Sequence, residues 1–163
     1  MNKLPRFSID YESLREQLQS RYVVISGGEP LYHQDFEELL ERLVGDDFEV
    51  AVETSGAKAF PFEKFPKVWV TFSPKLHATD YFKSQLSPTF WKNSQEIKVV
   101  ISEPSDLNFY EDLLDQVSAS EIPVFLQPEW SKREYLTSFI LKTLQKKPAW
   151  KFSIQQHKYL RLS

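Results

Sequence analysis

Hydrophobic positions along the chain follow two alternating rhythms. Leu14 and Leu18, one turn apart, predict a helix over Tyr11 to Gln19, and the apolar run after it predicts a strand over Tyr22 to Ser26. Phe36, Leu39, Leu40 and Leu43 recur at i, i+3, i+4 and i+7, which predicts a helix over Asp35 to Val44 with Gly45 as its C-terminal cap. Runs of β-branched and aromatic residues at Glu49 to Glu53 and Val68 to Ser73 predict strands two and three. Pro74 to Gln95 is irregular, and a long loop with a helical turn is expected there. Glu96 to Ile101 reads as strand four. Leu107, Tyr110, Leu113, Leu114 and Val117 then form a stripe on a helix over Ser105 to Val117.

Val124 to Gln127 reads as strand five. Ser131-Lys132-Arg133-Glu134 has the spacing of a capping box, in which a serine hydroxyl and a glutamate three residues later satisfy orphan helix donors. It would open a helix that turns Leu136, Phe139 and Ile140 inward. Trp150 to Gln155 reads as the last strand, and QHKYLRLS as a tail. Short apolar strands alternating with amphipathic helices predict an α/β fold with a mostly parallel sheet, open or curved into a partial (β/α) barrel. No internal repeat or low-complexity tract interrupts the pattern, and 163 residues suit a single domain over 1–163 with its own core.

Composition narrows the chemistry. An apolar share of 41% with 26% charged residues describes a folded globular protein rather than a disordered or membrane one. No apolar run approaches the ~20 residues of a bilayer span, and MNKLPRFSID lacks the apolar block of a secretory signal, so a cytoplasmic location is expected. The net charge of −3, with lysines and arginines dispersed among acids, gives no footprint for nucleic acid. The four tryptophans therefore read as core or rim packing rather than as base-stacking platforms. The complete lack of cysteine excludes disulfides, thiol nucleophiles and thiolate-held metals in these residues together. The three histidines, His33, His77 and His157, lie on separate segments without HxH or HExxH spacing, and no metal site is assigned to them.

The predicted strands end in polar clusters: Ser26-Gly27-Gly28-Glu29-Pro30, Glu53-Thr54-Ser55-Gly56, Ser73-Pro74-Lys75, Gln127-Pro128-Glu129-Trp130 and Gln155-Gln156-His157-Lys158. In a parallel sheet all C-terminal strand ends share one rim, so these clusters should converge on one face. Gly27 and Gly28, lacking Cβ atoms, would let a ligand reach bare backbone groups, which suits a zwitterion. A tight strand-to-helix turn fixed by Pro30 would account for the same glycines without a ligand. Neither a P-loop nor a GxGxxG fingerprint is present. Lys75 and Lys98 fall near the rim, where they could face anionic groups or simply be solvated.

In order, VVISGGEPL, VAVETSGAKAFP, VTFSPK, EIKVVI, FLQPEW and SIQQHKYL resemble the 7-carboxy-7-deazaguanine synthase family of radical S-adenosylmethionine (SAM) enzymes, from about Tyr22 to Leu160. That family rearranges 6-carboxy-tetrahydropterin to carboxy-deazaguanine in queuosine and 7-deazapurine biosynthesis. The resemblance implies that Gly27, Gly28 and Glu29 hold the methionyl end of SAM, that Ser73, Pro74 and Lys75 form a second SAM-contacting segment, and that Glu53 and Ser55 add cofactor contacts. It implies that Ser26, Gln127 and His157 stand near the pterin-type substrate.

The family also uses a [4Fe–4S] cluster, held by three cysteines on a loop upstream of the GGEP strand, and Mg2+. Only 25 residues precede Ser26 here and none is cysteine, so the ligands of both groups are expected to lie outside this chain. Catalysis by the chain alone is accordingly not expected, because the cluster supplies the electron that cleaves SAM. The resemblance further implies a barrel that lacks its first strand, with an edge at Tyr22 to Ser26 to be covered by an N-terminal-half partner or by a homodimer. The alternative is a degenerate homologue that serves as a SAM- or pterin-binding or protein-interaction module, with no nucleic-acid or membrane partner.

Overall fold

A computed structural model describes residues 9–75, 93–118 and 121–160; the side chains of 112, 113, 116–118 and 157 lie outside this description. Six strands, β1 (Tyr22–Ile25), β2 (Glu49–Thr54), β3 (Trp69–Phe72), β4 (Glu96–Ile101), β5 (Val124–Pro128) and β6 (Trp150–Phe152), form one sheet in the order β1-β2-β3-β4-β5-β6. Every adjacent pair is parallel. Helices α1 (Tyr11–Gln17), α2 (Phe36–Gly45), α3 (Asp106–Ser118), α4 (Arg133–Lys146) and α5 (Gln156–Tyr159) complete the described elements with short 3-10 turns. Parallel neighbours need a crossover, and α2, α3 and α4 provide it after β1, β4 and β5. The expected α/β architecture with a parallel sheet is therefore present.

Period-two alternation decides which side of the sheet is core. Val52 pairs in register with Val70, Phe72 with Ile97, Ile97 with Val124 and Val99 with Leu126, and all of these are buried. They meet Leu40 and Leu43 from α2, Tyr110 and Leu114 from α3, and Leu136 and Ile140 from α4 in one cluster. The residues between them face the other way. Glu53, Thr71 and Glu96 lie in one register row, and Lys98, Phe125 and Lys151 in the next. Parallel sheets normally bury apolar residues on both faces. Here one face is polar.

Several local expectations change. Gly45 is the last helical residue of α2 rather than its cap. Asp47, at φ 62°, makes the left-handed turn instead, with Asp47 N–H donating to Val44 O at 3.1 Å and Phe48 N–H to Leu43 O at 3.0 Å, the bonds of a Schellman ending. The capping box at Ser131 does not form. Ser131 lies in a 3-10 turn, Trp130–Lys132, where its N–H and hydroxyl both donate to the Glu129 carboxylate, and Glu134 is exposed beside Arg133. The last strand ends at Phe152, and the expected tail starts as helix α5, seated by Trp130 and Tyr159 edge to face at 4.9 Å. Of the other tryptophans, Trp150 is buried and Trp69 half-exposed, while Trp91 lies outside the described residues, as does most of the irregular stretch.

Candidate functional site

The polar face and the C-terminal strand ends enclose a cavity of about 1060 Å³. Eight of the residues singled out from sequence line it: Ser26 after β1, Glu53 on β2, Ser73 and Lys75 after β3, Lys98 on β4, Gln127 on β5, and Gln155 and Gln156 after β6. They arrive together because a parallel sheet without crossing connections brings every strand end to the same rim. Gly27 borders a neighbouring cavity of about 540 Å³ walled by α1 and α2. Pro74 is buried, and its carbonyl accepts the Tyr110 hydroxyl at 3.2 Å, so it fastens the β3 end to α3. His157 sits on α5, with its side chain outside the description, as is all of His77. His33 is exposed, with Nδ1 accepting the Asp35 N–H at 3.3 Å.

Charge in the cavity alternates in sign. Lys98 Nζ lies 2.7 Å from Glu53 Oε1, bridging β4 to β2 across the intervening strand. The Lys75 ammonium donates to Ser73 Oγ at 3.4 Å. Burial holds the Lys75 pKa below the usual lysine value; Glu53 and Glu29 pull it upward while the Lys98 charge pushes it further down. At the far wall Ser153 donates to Gln127 Oε1 at 3.3 Å, and Gln155 Oε1 is buried with no partner among the described residues. Two amines and two carboxylates around one polar hollow can hold a ligand that carries both signs.

The Gly27–Gly28 turn adopts φ +88° and +59°, a path that side-chain-bearing residues rarely follow. Glu29 follows and points back across the sheet. Its Oε1 accepts the Thr54 hydroxyl at 2.6 Å and the Leu31 N–H at 3.3 Å; its Oε2 accepts the Ser55 N–H at 2.8 Å and the Ser55 hydroxyl. Ser55, expected as a ligand contact, is thus engaged with Glu29.

Sequence reasoning left Glu96, Thr71 and Ser153 out of the site. Glu96 accepts the Thr71 hydroxyl at 2.8 Å on the polar face. The usable signal was the alternation in Glu96-Ile97-Lys98-Val99-Val100-Ile101, which turns the glutamate and lysine away from the core. The donor set does not fit a thiolate-held cluster. The chain has no cysteine, and no three His, Cys, Asp or Glu side chains among the described residues group closely enough to hold a metal ion.

Comparison with known proteins gives these observations a context. No protein-family model matches the chain. It is 33% identical over 147 residues to the 7-carboxy-7-deazaguanine synthase of Flavobacterium psychrophilum, covering 88% of this chain and 63% of that protein. It is 34% identical over 143 residues to the 7-carboxy-7-deazaguanine synthase of a Synechocystis species, covering 85% and 61%. The fold superposes on the crystal structure of QueE from Escherichia coli with a TM-score of 0.63 at 28% identity, over 88% of this chain and 63% of that one. The chain thus spans less than two thirds of the length of these relatives. In sequence and in fold it is a homologue of the 7-carboxy-7-deazaguanine synthases, with no cysteine anywhere in its 163 residues.

Proposed function

We propose that this chain forms the SAM-methionyl and pterin-facing part of a 7-carboxy-7-deazaguanine synthase-type site, and that the thiolates of the cluster come from polypeptide outside these 163 residues. The alternation of Glu53, Lys98 and Lys75 along one polar cavity is the observation that carries it. SAM's methionyl end is a zwitterion, and the family's pterin bears a carboxylate; both need paired cations and acceptors that an apolar barrel interior would not provide. Carbonyls of the Gly27–Gly28 turn would accept from the ammonium, and Lys75 would face a carboxylate. Ser26 and Gln127 would contact the pterin, as would His157. The cluster, held by thiolates from outside these residues, would supply the electron for SAM cleavage. The residues here bind and orient, and no step of that chemistry is assigned to them.

The free edge of β1 belongs to the same proposal. Among the described residues β1 pairs only with β2, and Tyr22 and Val24 are 70% and 62% exposed. An extended segment adding to this edge would cover both and complete the cavity wall at Val24 and Ser26. The segment proposed is the one that carries the thiolates.

Titration with SAM and with 6-carboxy-tetrahydropterin by calorimetry tests the binding half. The chain alone should bind SAM weakly and, after anaerobic reconstitution with iron and sulfide, give no cluster EPR signal. Adding in trans the part of the Flavobacterium relative that this chain does not match should produce a complex, the signal and 5′-deoxyadenosine. Stoichiometric EPR-active iron on the chain alone would overturn the assignment of the thiolates. No heat with either ligand, alone or in the complex, would leave a protein-interaction role.

A further inference from the structure

Glu29 is placed to do something other than touch a ligand. An ionised carboxylate offers about four acceptor sites. Four donors within the chain converge on this one: the Thr54 hydroxyl at 2.6 Å, the Leu31 N–H at 3.3 Å, the Ser55 N–H at 2.8 Å and the Ser55 hydroxyl. The donors come from two separate segments. Leu31 belongs to the 3-10 turn after Gly28, where Glu29 is also the N-terminal cap, while Thr54 and Ser55 close β2. Thr54 extends the chain of bonds, because its Oγ1 accepts the Gly56 N–H at 3.0 Å and its side chain is almost fully buried. The carboxylate lies between two turns of left-handed backbone, Gly27–Gly28 and Gly56.

We infer that Glu29 is a positioning residue that clamps the Gly27–Gly28 turn to the Thr54–Gly56 loop, so that a ligand's charged head meets main-chain groups of a pre-set turn and not the Glu29 carboxylate. A turn with two glycines is mobile unless something outside it fixes its path, and the bonds to Thr54 and Ser55 are what does so here. The ligand clause rests on the zwitterion proposed above; the clamp does not. In Glu29→Gln an amide NH2 replaces one acceptor oxygen and sets donors against the donors that oxygen had accepted, so the clamp weakens without a change of shape.

Backbone amide exchange and SAM titration together test this. In Glu29→Gln and in Thr54→Val, exchange at Ser55 and Gly56 should quicken by at least about tenfold, the loss expected for one charge-assisted bond, whether or not SAM is present. Glu29→Gln and Ser55→Ala should each weaken SAM, and the double variant should be no weaker than the poorer single one. Unchanged exchange at Ser55 in folded Glu29→Gln would overturn the clamp. Loss of SAM affinity in Glu29→Gln with Ser55→Ala unaffected would show a direct contact and overturn the inference. If the wild-type chain binds no SAM, the functional proposal fails, while the exchange rates still decide the clamp.

Discussion

Gly56 offers the sharpest test of how the rim is packed. It sits at φ +71°, and a Cβ built on it would collide with Phe72 Cε2 and lie 3.2 Å and 3.3 Å from Cζ and Cδ2 of the same ring. Phe72 is fully buried on the core face of β3, so its ring has no open space to enter. Replacing Gly56 by alanine adds left-handed backbone strain of about 1–2 kcal/mol and overpacking of about 1–3 kcal/mol. The smaller unfolded-state entropy of alanine returns about 0.4–1 kcal/mol, leaving a loss of about 2–4 kcal/mol. For a domain of this size that lowers Tm by roughly 5–15 °C.

Gly28 supplies the control, because it has φ +59° but nothing within 4 Å of its virtual Cβ. Gly28→Ala should therefore cost only the strain, about 1 kcal/mol or less after the entropy term. Urea unfolding of both variants isolates the Phe72 contact as their difference. A third variant removes the obstacle: in a Phe72→Leu background the Gly56→Ala penalty should shrink toward that of Gly28→Ala, since leucine lacks the offending ring atoms. Equal losses for the two glycine variants, or an undiminished Gly56→Ala penalty in the Phe72→Leu background, would refute the packing argument.

Asp106 is 3% exposed, and its Oδ2 accepts the N–H groups of Ser102 at 2.6 Å and Glu103 at 3.0 Å; Asp106→Ala should cost about 2–4 kcal/mol in urea unfolding by orphaning both, and a loss below about 1 kcal/mol would contradict it. Lys75 gives a pH signature, because its folded pKa lies below the ordinary 10.5, chiefly through burial. The unfolded chain then binds more protons between the two values, so stability rises with pH in that window and Lys75→Met should be the more stable protein at pH ~7, its advantage fading as pH climbs toward ~10.5. A pH-independent gap would be inconsistent with a desolvated amine. Lys98→Met should raise the Lys75 pKa by removing a nearby positive charge, read from the Lys75 side-chain NMR shift across alkaline pH; a fall or no change would contradict the charge arrangement.

The parts of this fold that were legible in the sequence depend on local period. Leu40 and Leu43 in α2, Leu136 and Ile140 in α4, and the alternation of β4 all lie where the spacing puts them, since burial on one face writes itself directly into the order of residues. Ending signals were less legible. Gly45 resembled a cap, yet Asp47 took the left-handed position, because aspartate also tolerates that conformation and the Leu43–Phe48 bond decides where the chain reverses. Ser131 had the spacing of a capping box, yet Glu129, two residues earlier, claimed its hydroxyl first. Site contacts separated in sequence were illegible. Glu29 meets Ser55 across 26 positions and Lys98 meets Glu53 across 45, and nothing in a one-dimensional pattern distinguishes those partners from any other donor and acceptor.

The division of labour between the sheet's two faces bears on how this chain behaves without a partner. The apolar cluster lies on the helix side, built from the buried face of the sheet and the inward stripes of α2, α3 and α4. A segment joining the β1 edge would add backbone bonds and cover Tyr22 and Val24, yet it would extend the end of that cluster rather than fill its centre. The polar face loses nothing by remaining wet, because Glu53, Glu96 and Lys98 are satisfied by Thr71 and by one another. Folding should therefore be cooperative in the isolated chain, while the free edge governs its association. Raising protein concentration should change oligomeric state more than melting temperature, and a melting temperature that climbs steeply with concentration would show that the core itself depends on what covers β1.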